Sequence, residues 1–74
     1  MKKEQLKVEI WIGEGTHTIE IYTDIEISEM PVHQEEVTGT VKGAVARAKF
    51  LVRVYGASGL EIHHPDGQNT VVVM

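Results

Sequence analysis

The spacing of apolar residues changes twice along this 74-residue chain, and that change constrains its fold more than any other feature. Apolar side chains recur at every second position near both ends of the chain. Between Val41 and Tyr55 they recur at every third or fourth position. A period of two is typical of strands with one buried face, and a period near 3.6 is typical of an amphipathic helix. The pattern therefore predicts strands, then one helix, then strands again.

Two alternating segments make up a predicted first hairpin over residues 6–28. On its apolar side lie Leu6, Val8, Ile10, Ile12, Ile19, Ile21, Thr23, Ile25 and Ile27. β-Branched residues at alternate positions favour half-buried antiparallel strands. The sequence Gly-Glu-Gly-Thr at 13–16 supplies a turn between them.

A helix is predicted over residues 40–55, because the apolar residues of this stretch share one arc of roughly 120° on a helical wheel. They are Val41, Ala44, Val45, Ala48, Leu51, Val52 and Tyr55. Gly56 follows directly and is a typical helix stop. Before the helix, Pro31 and Gly39 favour an irregular connection over 28–39, although Gln34-Glu35-Glu36 would suit a first helical turn.

A second hairpin is predicted over residues 60–74, with Pro65-Asp66-Gly67 as its turn. The whole chain, 1–74, is then a single α+β domain of order ββαββ, with one helix packed on the apolar face of a four-stranded antiparallel sheet. The predicted core is Val8, Ile10, Ile12, Ile19, Ile21, Ile25, Val41, Val45, Ala48, Leu51, Val52, Leu60, Ile62 and Val72.

Charge is sorted along the chain in a way that predicts two electrostatic faces. Between Val37 and Leu60 there are four basic residues and no acid, while residues 1–36 carry nine acids against three lysines. The net charge is −4. The chain has no cysteine, which excludes disulfides and thiolate metal sites, and no apolar run of about 20 residues that could span a membrane. The charged start leads into an alternating segment rather than a signal sequence, so we expect a soluble cytoplasmic protein.

The outer face of the predicted sheet is one candidate binding surface. Trp11 and Tyr22 point away from the core among acids, which are Glu9, Glu20, Asp24 and Glu26, with Glu61 a further candidate. An acidic face repels phosphate, so a basic or amphipathic protein partner fits better than nucleic acid. The alternative is that Trp11 and Tyr22 form a cross-strand pair that only stabilises the hairpin.

The side of the helix away from the sheet is a second candidate surface. Gly43, Ala46, Phe50 and Val54 fall together there, rimmed by Arg47 and Arg53. Small residues beside an aromatic allow close approach of a partner or of a second copy. The alternative is that residues 30–32, Met-Pro-Val, fold over Phe50. A further hypothesis is that the helix binds the phosphates of a nucleic acid through Lys42, Arg47, Lys49 and Arg53. Four positive charges are few, and the net charge of the chain is negative, so both features argue against it.

Catalytic, metal and cofactor sites are not predicted. His17 and His33 stand in different predicted loops, and His63 and His64 face opposite sides of a strand, so they cannot share one ion. Ser58 lies in a turn after the helix, outside any Gly-x-Ser-x-Gly context. The carboxylates lie on the outer faces of the predicted strands, exposed to water, where nothing favours acid–base catalysis.

The stretch from Ala44 to Asn69 resembles part of a class of short uncharacterised ββαββ domains. The matching residues are Ala44, Ala46, Ala48, Gly56, Gly59, Leu60, Ile62, His63, Asp66 and Gly67. No activity is attached to that class, so no functional residue carries over. The chain is also similar in scale to phage-encoded inhibitors, anti-CRISPR proteins included.

The sequence thus predicts a small non-enzymatic protein-binding module that acts by occluding a partner surface, with a phage or mobile-element inhibitor or adaptor as the suggested type. Nucleic-acid binding through the basic helix and a homodimeric structural subunit are the alternatives.

Overall fold

The computed structural model describes residues 6–23 and 32–73. These residues form five strands and one helix: β1 (Leu6–Trp11), β2 (Thr16–Thr23), β3 (His33–Thr38), α1 (Val41–Tyr55), β4 (Gly59–His63) and β5 (Asn69–Val73). The predictions that involve Asp24, Ile25, Glu26, Ile27, Met30 and Pro31 lie outside the described residues.

The five strands form one sheet in the order β3-β2-β1-β4-β5. β1 and β4 run parallel, and the other neighbouring pairs are antiparallel. The prediction of a small α+β fold with one helix is confirmed, but the four-stranded, wholly antiparallel sheet is wrong. β3 runs in the same direction as β1, because both are antiparallel to β2. The helix α1 then returns the chain across the sheet, so β4 runs parallel to β1.

The unpredicted strand, β3, lies inside the stretch assigned to an irregular connection. Its inward side chains are His33, Glu35 and Val37, which are half-buried, while the residues between them are exposed. Polar groups at two of those three inward positions hide the period of two from a pattern based on apolar residues. Gln34, Glu35 and Glu36 therefore belong to an edge strand and not to a first helical turn.

The helix ends at the predicted residue and begins one residue later than predicted, because Thr40 is its N-cap. The Thr40 hydroxyl accepts a hydrogen bond from the Gly43 N–H at 3.0 Å, which satisfies a free donor of the first turn. Gly56 adopts a left-handed conformation with φ of 68°, and its N–H donates to the last turn. Among the described residues, no helix is long and apolar enough to cross a membrane.

The core lies between α1 and one face of the sheet, which we call the inner face. Its buried apolar residues are Val8, Ile10, Ile19, Ile21, Ala44, Ala48, Leu51, Val52, Leu60 and Ile62, with Ile12, Val45 and Val72 partly buried against them. Two predictions fail here. Val41 is 45% exposed, because it is the first residue of α1 and Ala44 is the first helical side chain to reach the core. His17, predicted in a loop, lies in β2 and is only 1% exposed.

Candidate binding face of the sheet

The outer face of the sheet, opposite α1, carries most of the polar strand residues. The register places these side chains on it: Lys7, Glu9, Trp11, Thr18, Glu20, Tyr22, Gln34, Glu36, Glu61, His63, Asn69, Val71 and Val73. Of the charged residues in this set, four are glutamates and one is a lysine. The face is therefore acidic, as charge sorting along the sequence predicts.

Three glutamates form a row across the three central strands. Glu9 on β1 is the register partner of Glu20 on β2 and of Glu61 on β4. We call Glu20, Glu9 and Glu61 the carboxylate row. Like charges directly opposite one another destabilise a sheet, so each carboxylate needs compensating donors. The surrounding side chains supply them.

Glu20 accepts three hydrogen bonds from neighbouring side chains. Its Oε1 accepts from the Trp11 indole N–H at 3.2 Å and from the Tyr22 hydroxyl at 2.9 Å, and its Oε2 accepts from the Gln34 amide at 3.0 Å. Donation to a carboxylate stabilises the protonated phenol, which raises the pKa of Tyr22 above its usual value. Both predicted aromatic residues are thus held by the same acid.

Glu61 and Glu9 have cationic or imidazole partners. The Lys7 ammonium lies 2.7 Å from Glu61 Oε1, and the Asn69 amide donates to Glu61 Oε2 at 3.1 Å. The hydrogen bond from Lys7 lowers the pKa of Glu61 and, by the same attraction, raises the pKa of Lys7. Glu9 Oε1 lies 2.7 Å from His63 Nε2.

Trp11 stacks on His63 and not on Tyr22. Their ring centroids are 3.7 Å apart with 6° between the planes, and the two residues are register partners on β1 and β4. Tyr22 instead pairs with Lys7, and Trp11 pairs with Thr18 across β2, so a cross-strand pair of Trp11 with Tyr22 is wrong. Trp11 remains 46% exposed to solvent.

A shallow apolar depression lies beside the carboxylate row, at the start of β4 and the end of β5. Its volume is about 320 Å³, and it is lined by Lys7, Glu61, Val71 and Val73 of the outer face together with Leu6, Leu60 and Val72 of the inner face. A Cβ at Gly59 would lie 2.9 Å from the backbone oxygen of Val72, so the two strands approach closely at this position. The outer face therefore carries an acidic row and an exposed indole, and an apolar recess borders the row at Glu61.

The second candidate surface, on α1, is exposed as well. Phe50 is 51% exposed, and Gly43, Ala46 and Val54 are also exposed. Val32 is itself exposed, while Met30 and Pro31 lie outside the described residues, so the proposed cover of Phe50 is not tested. Arg53 is exposed in the last turn.

Arg47 is engaged within the fold. Its guanidinium donates twice to Glu35 on β3, at 2.7 and 3.1 Å, and its central carbon lies 5.3 Å from the centre of the Phe50 ring. The hydrogen bonds from Arg47 lower the pKa of Glu35 from 4.5 to about 2, against an opposing effect of burial. A phosphate on the helix would have to compete with this ion pair.

Sequence reasoning missed His63, Lys7, Gln34 and Asn69 as members of the outer-face network. One signal was present: Glu9-x-Trp11 and Glu61-x-His63 share a two-residue spacing, which puts each pair on one side of its strand. Only the parallel pairing of β1 with β4 brings the two pairs together. The neighbouring His64 ring lies outside this network, with its Nε2 2.9 Å from the Thr70 hydroxyl.

Compared with known proteins, this chain matches no family model, no curated protein and no solved structure. Its functional assignment therefore depends on the geometry described above.

Proposed function

We propose that this chain is a non-enzymatic protein-binding module whose outer sheet face takes an extended, cationic segment of a partner protein. The observation that carries the proposal is the carboxylate row, in which Glu20, Glu9 and Glu61 lie side by side across β2, β1 and β4. An open sheet face lined with one sign of charge attracts the opposite sign and steers its approach.

The residues beside the carboxylate row favour a partner segment that is both cationic and partly apolar. Trp11 stands beside the row with its indole exposed, and the recess around Gly59 lies beside its Glu61 end. Tryptophan is enriched among residues that dominate binding energy at interfaces. An extended segment alternating basic and apolar side chains would meet carboxylates, indole and recess together. Stoichiometric occlusion by an inhibitor or adaptor, phage-encoded or not, is the mode of action that such a surface fits.

The preorganisation of the row adds to this support. Each carboxylate is already oriented by side-chain donors, so little rotamer freedom remains to be lost when a ligand arrives. Lys7 would be displaced or shared by an incoming cation, because its ammonium occupies only Oε1 of Glu61.

The test is titration of a short peptide of alternating Arg and Val, followed by the fluorescence of Trp11, the one tryptophan in the chain. EDTA is present throughout, so that metal ions play no part. We expect saturable binding that weakens as salt rises. The double variant Glu20→Gln/Glu61→Gln should bind at least tenfold more weakly.

Two controls distinguish binding to the outer face from general attraction of the peptide to a negatively charged protein. Glu14→Gln/Asp66→Asn removes the same two charges from exposed turns and should leave affinity within about twofold. Phe50→Ser, on the helix surface, should bind as the wild type does. Absence of binding at low salt, or equal weakening in both double variants, would overturn the proposal. Loss of peptide binding in Phe50→Ser alone would show that the peptide binds the exposed surface of α1 instead.

A further inference from the structure

We propose that Glu9, Glu61 and His63 form a binding site for a divalent transition-metal ion such as Zn²⁺. Glu9 Oε1 and Glu61 Oε2 lie 2.7 and 3.8 Å from His63 Nε2, and one ligand atom of each residue lies within 4.8 Å of the others. Ligands about 2.1 Å from a tetrahedral ion are roughly 3.4 Å apart. Small side-chain rotations would therefore bring the three atoms around one ion.

The hydrogen bonds of Asn69 engage Nδ1 of His63 and leave Nε2 as the atom that can bind a metal ion. The Asn69 amide nitrogen donates to Glu61, which turns the Asn69 carbonyl oxygen toward His63 Nδ1 at 3.1 Å. Since that oxygen can only accept, Nδ1 carries a proton. Nε2 shares a proton with Glu9 Oε1 at 2.7 Å, and a metal ion would take the place of that proton on Nε2. A hydrogen bond of the kind that Nδ1 makes is the usual support of a metal-binding histidine.

Two further contacts hold the ring and balance the charge. The stack of Trp11 at 3.7 Å restricts rotation of the imidazole. Lys7 binds Glu61 through Oε1 and leaves Oε2 directed toward His63. With Glu20 next in the carboxylate row, three carboxylates and one ammonium surround the position, so a dication would bring the local charge to neutrality.

The donor set indicates which ions fit. An imidazole with two carboxylates suits Zn²⁺, Co²⁺, Ni²⁺ or Cu²⁺, whereas Ca²⁺ needs six to eight oxygen ligands. The three side chains are 14–17% exposed, so one side of the ion would face solvent and could take water or a partner's side chain. No metal site is predicted from the sequence, because the histidines cannot share one ion with each other and because the sequence does not show that β1 and β4 are neighbours.

The experiment titrates the full chain with Zn²⁺ by calorimetry and with Ni²⁺ by quenching of Trp11 fluorescence, in the absence of any peptide. We expect one ion per chain, with Trp11 quenched because its ring contacts the ligand His63. His63→Gln and Glu61→Gln should each weaken binding at least tenfold. Both are close in size to the native residue, and circular dichroism checks that each variant is folded.

The chain offers matched controls for each type of ligand. His64→Gln removes the adjacent histidine, whose ring bonds Thr70, and Glu14→Gln removes an exposed acid of the first turn; both should stay within about threefold of the wild type. A shift of the His63 ring resonances on addition of Zn²⁺ would locate the ion directly. Absence of saturable binding, or equal loss in His64→Gln and His63→Gln, would overturn the proposal. Because no peptide is present, failure here leaves the proposed protein binding unaffected.

Discussion

The His17 ring donates from Nε2 to the carbonyl oxygen of Gly39 at 3.0 Å, across 22 positions of the chain. Its Nδ1 accepts from the Gly13 N–H at 3.1 Å, so the proton must lie on Nε2. The Gly39 N–H in turn donates to the Gly15 carbonyl at 2.9 Å. One buried imidazole therefore ties the turn after β1 to the turn after β3 and fixes the edge strand in place.

Replacing His17 with Phe should lower the free energy of unfolding by about 2–4 kcal/mol, since the Gly13 N–H and the Gly39 carbonyl both lose their partner. Urea denaturation followed by circular dichroism measures the change. His64→Phe is the control, because His64 bonds only a side chain at the rim, and it should cost less than about 1 kcal/mol. Equal losses in the two variants would contradict the role given to His17.

Glu35→Gln should reduce stability at neutral pH by up to about 1 kcal/mol, because Arg47 is 44% exposed and solvent screens the ion pair. Arg47 holds the folded pKa of Glu35 near 2, below the value of 4.5 for a free glutamate. A depressed pKa contributes stability that is present above the unfolded pKa and is lost as pH falls through the folded one. The difference between wild type and variant should therefore shrink from about pH 5 towards pH 2. A difference that stays constant over that range would exclude the ion pair as its cause.

Gly13→Ala should destabilise the first hairpin, although the backbone there is not left-handed. An added Cβ would lie 2.4 Å from the Thr16 carbonyl oxygen, and neither backbone segment can move away without opening the turn. We expect a loss of about 1–3 kcal/mol in the free energy of unfolding. Glu14→Ala, at an exposed position of the same turn, should change it by less than about 0.5 kcal/mol. Equal stability of the two variants would show that the turn can adapt.

The elements with local signals were predictable from the sequence. The helix carries its own apolar arc, its cap at Thr40 and its stop at Gly56, all within one segment. The turns of both hairpins are likewise encoded by neighbouring residues. In the candidate site, alternation alone placed Trp11, Tyr22, Glu9 and Glu20 on a common outer face.

The predictions that failed concern residues whose contact partners lie far away in the chain. β3 has few apolar inward residues, and it is held by His17 and by the contact of Glu35 with Arg47. The parallel pairing of β1 with β4 follows from the direction of β3, so missing that strand also led to the prediction of a wholly antiparallel sheet. His63 could not be assigned to the site for the same reason, since it meets Glu9 across 54 positions of the chain.

The boundary of the core on α1 is open to a direct test. Leu51 is 4% exposed between the helix and the sheet, so Leu51→Ala should cost about 2–5 kcal/mol through lost burial and the cavity left behind. Val41 shares the apolar arc but lies at the exposed start of the helix, so Val41→Ala should stay within about 0.5 kcal/mol of the wild type. Alanine also has the higher helix propensity, which offsets any lost contact. A large loss in Val41→Ala would mean that the sequence-based core was right and that the first turn of α1 packs more deeply than its exposure indicates.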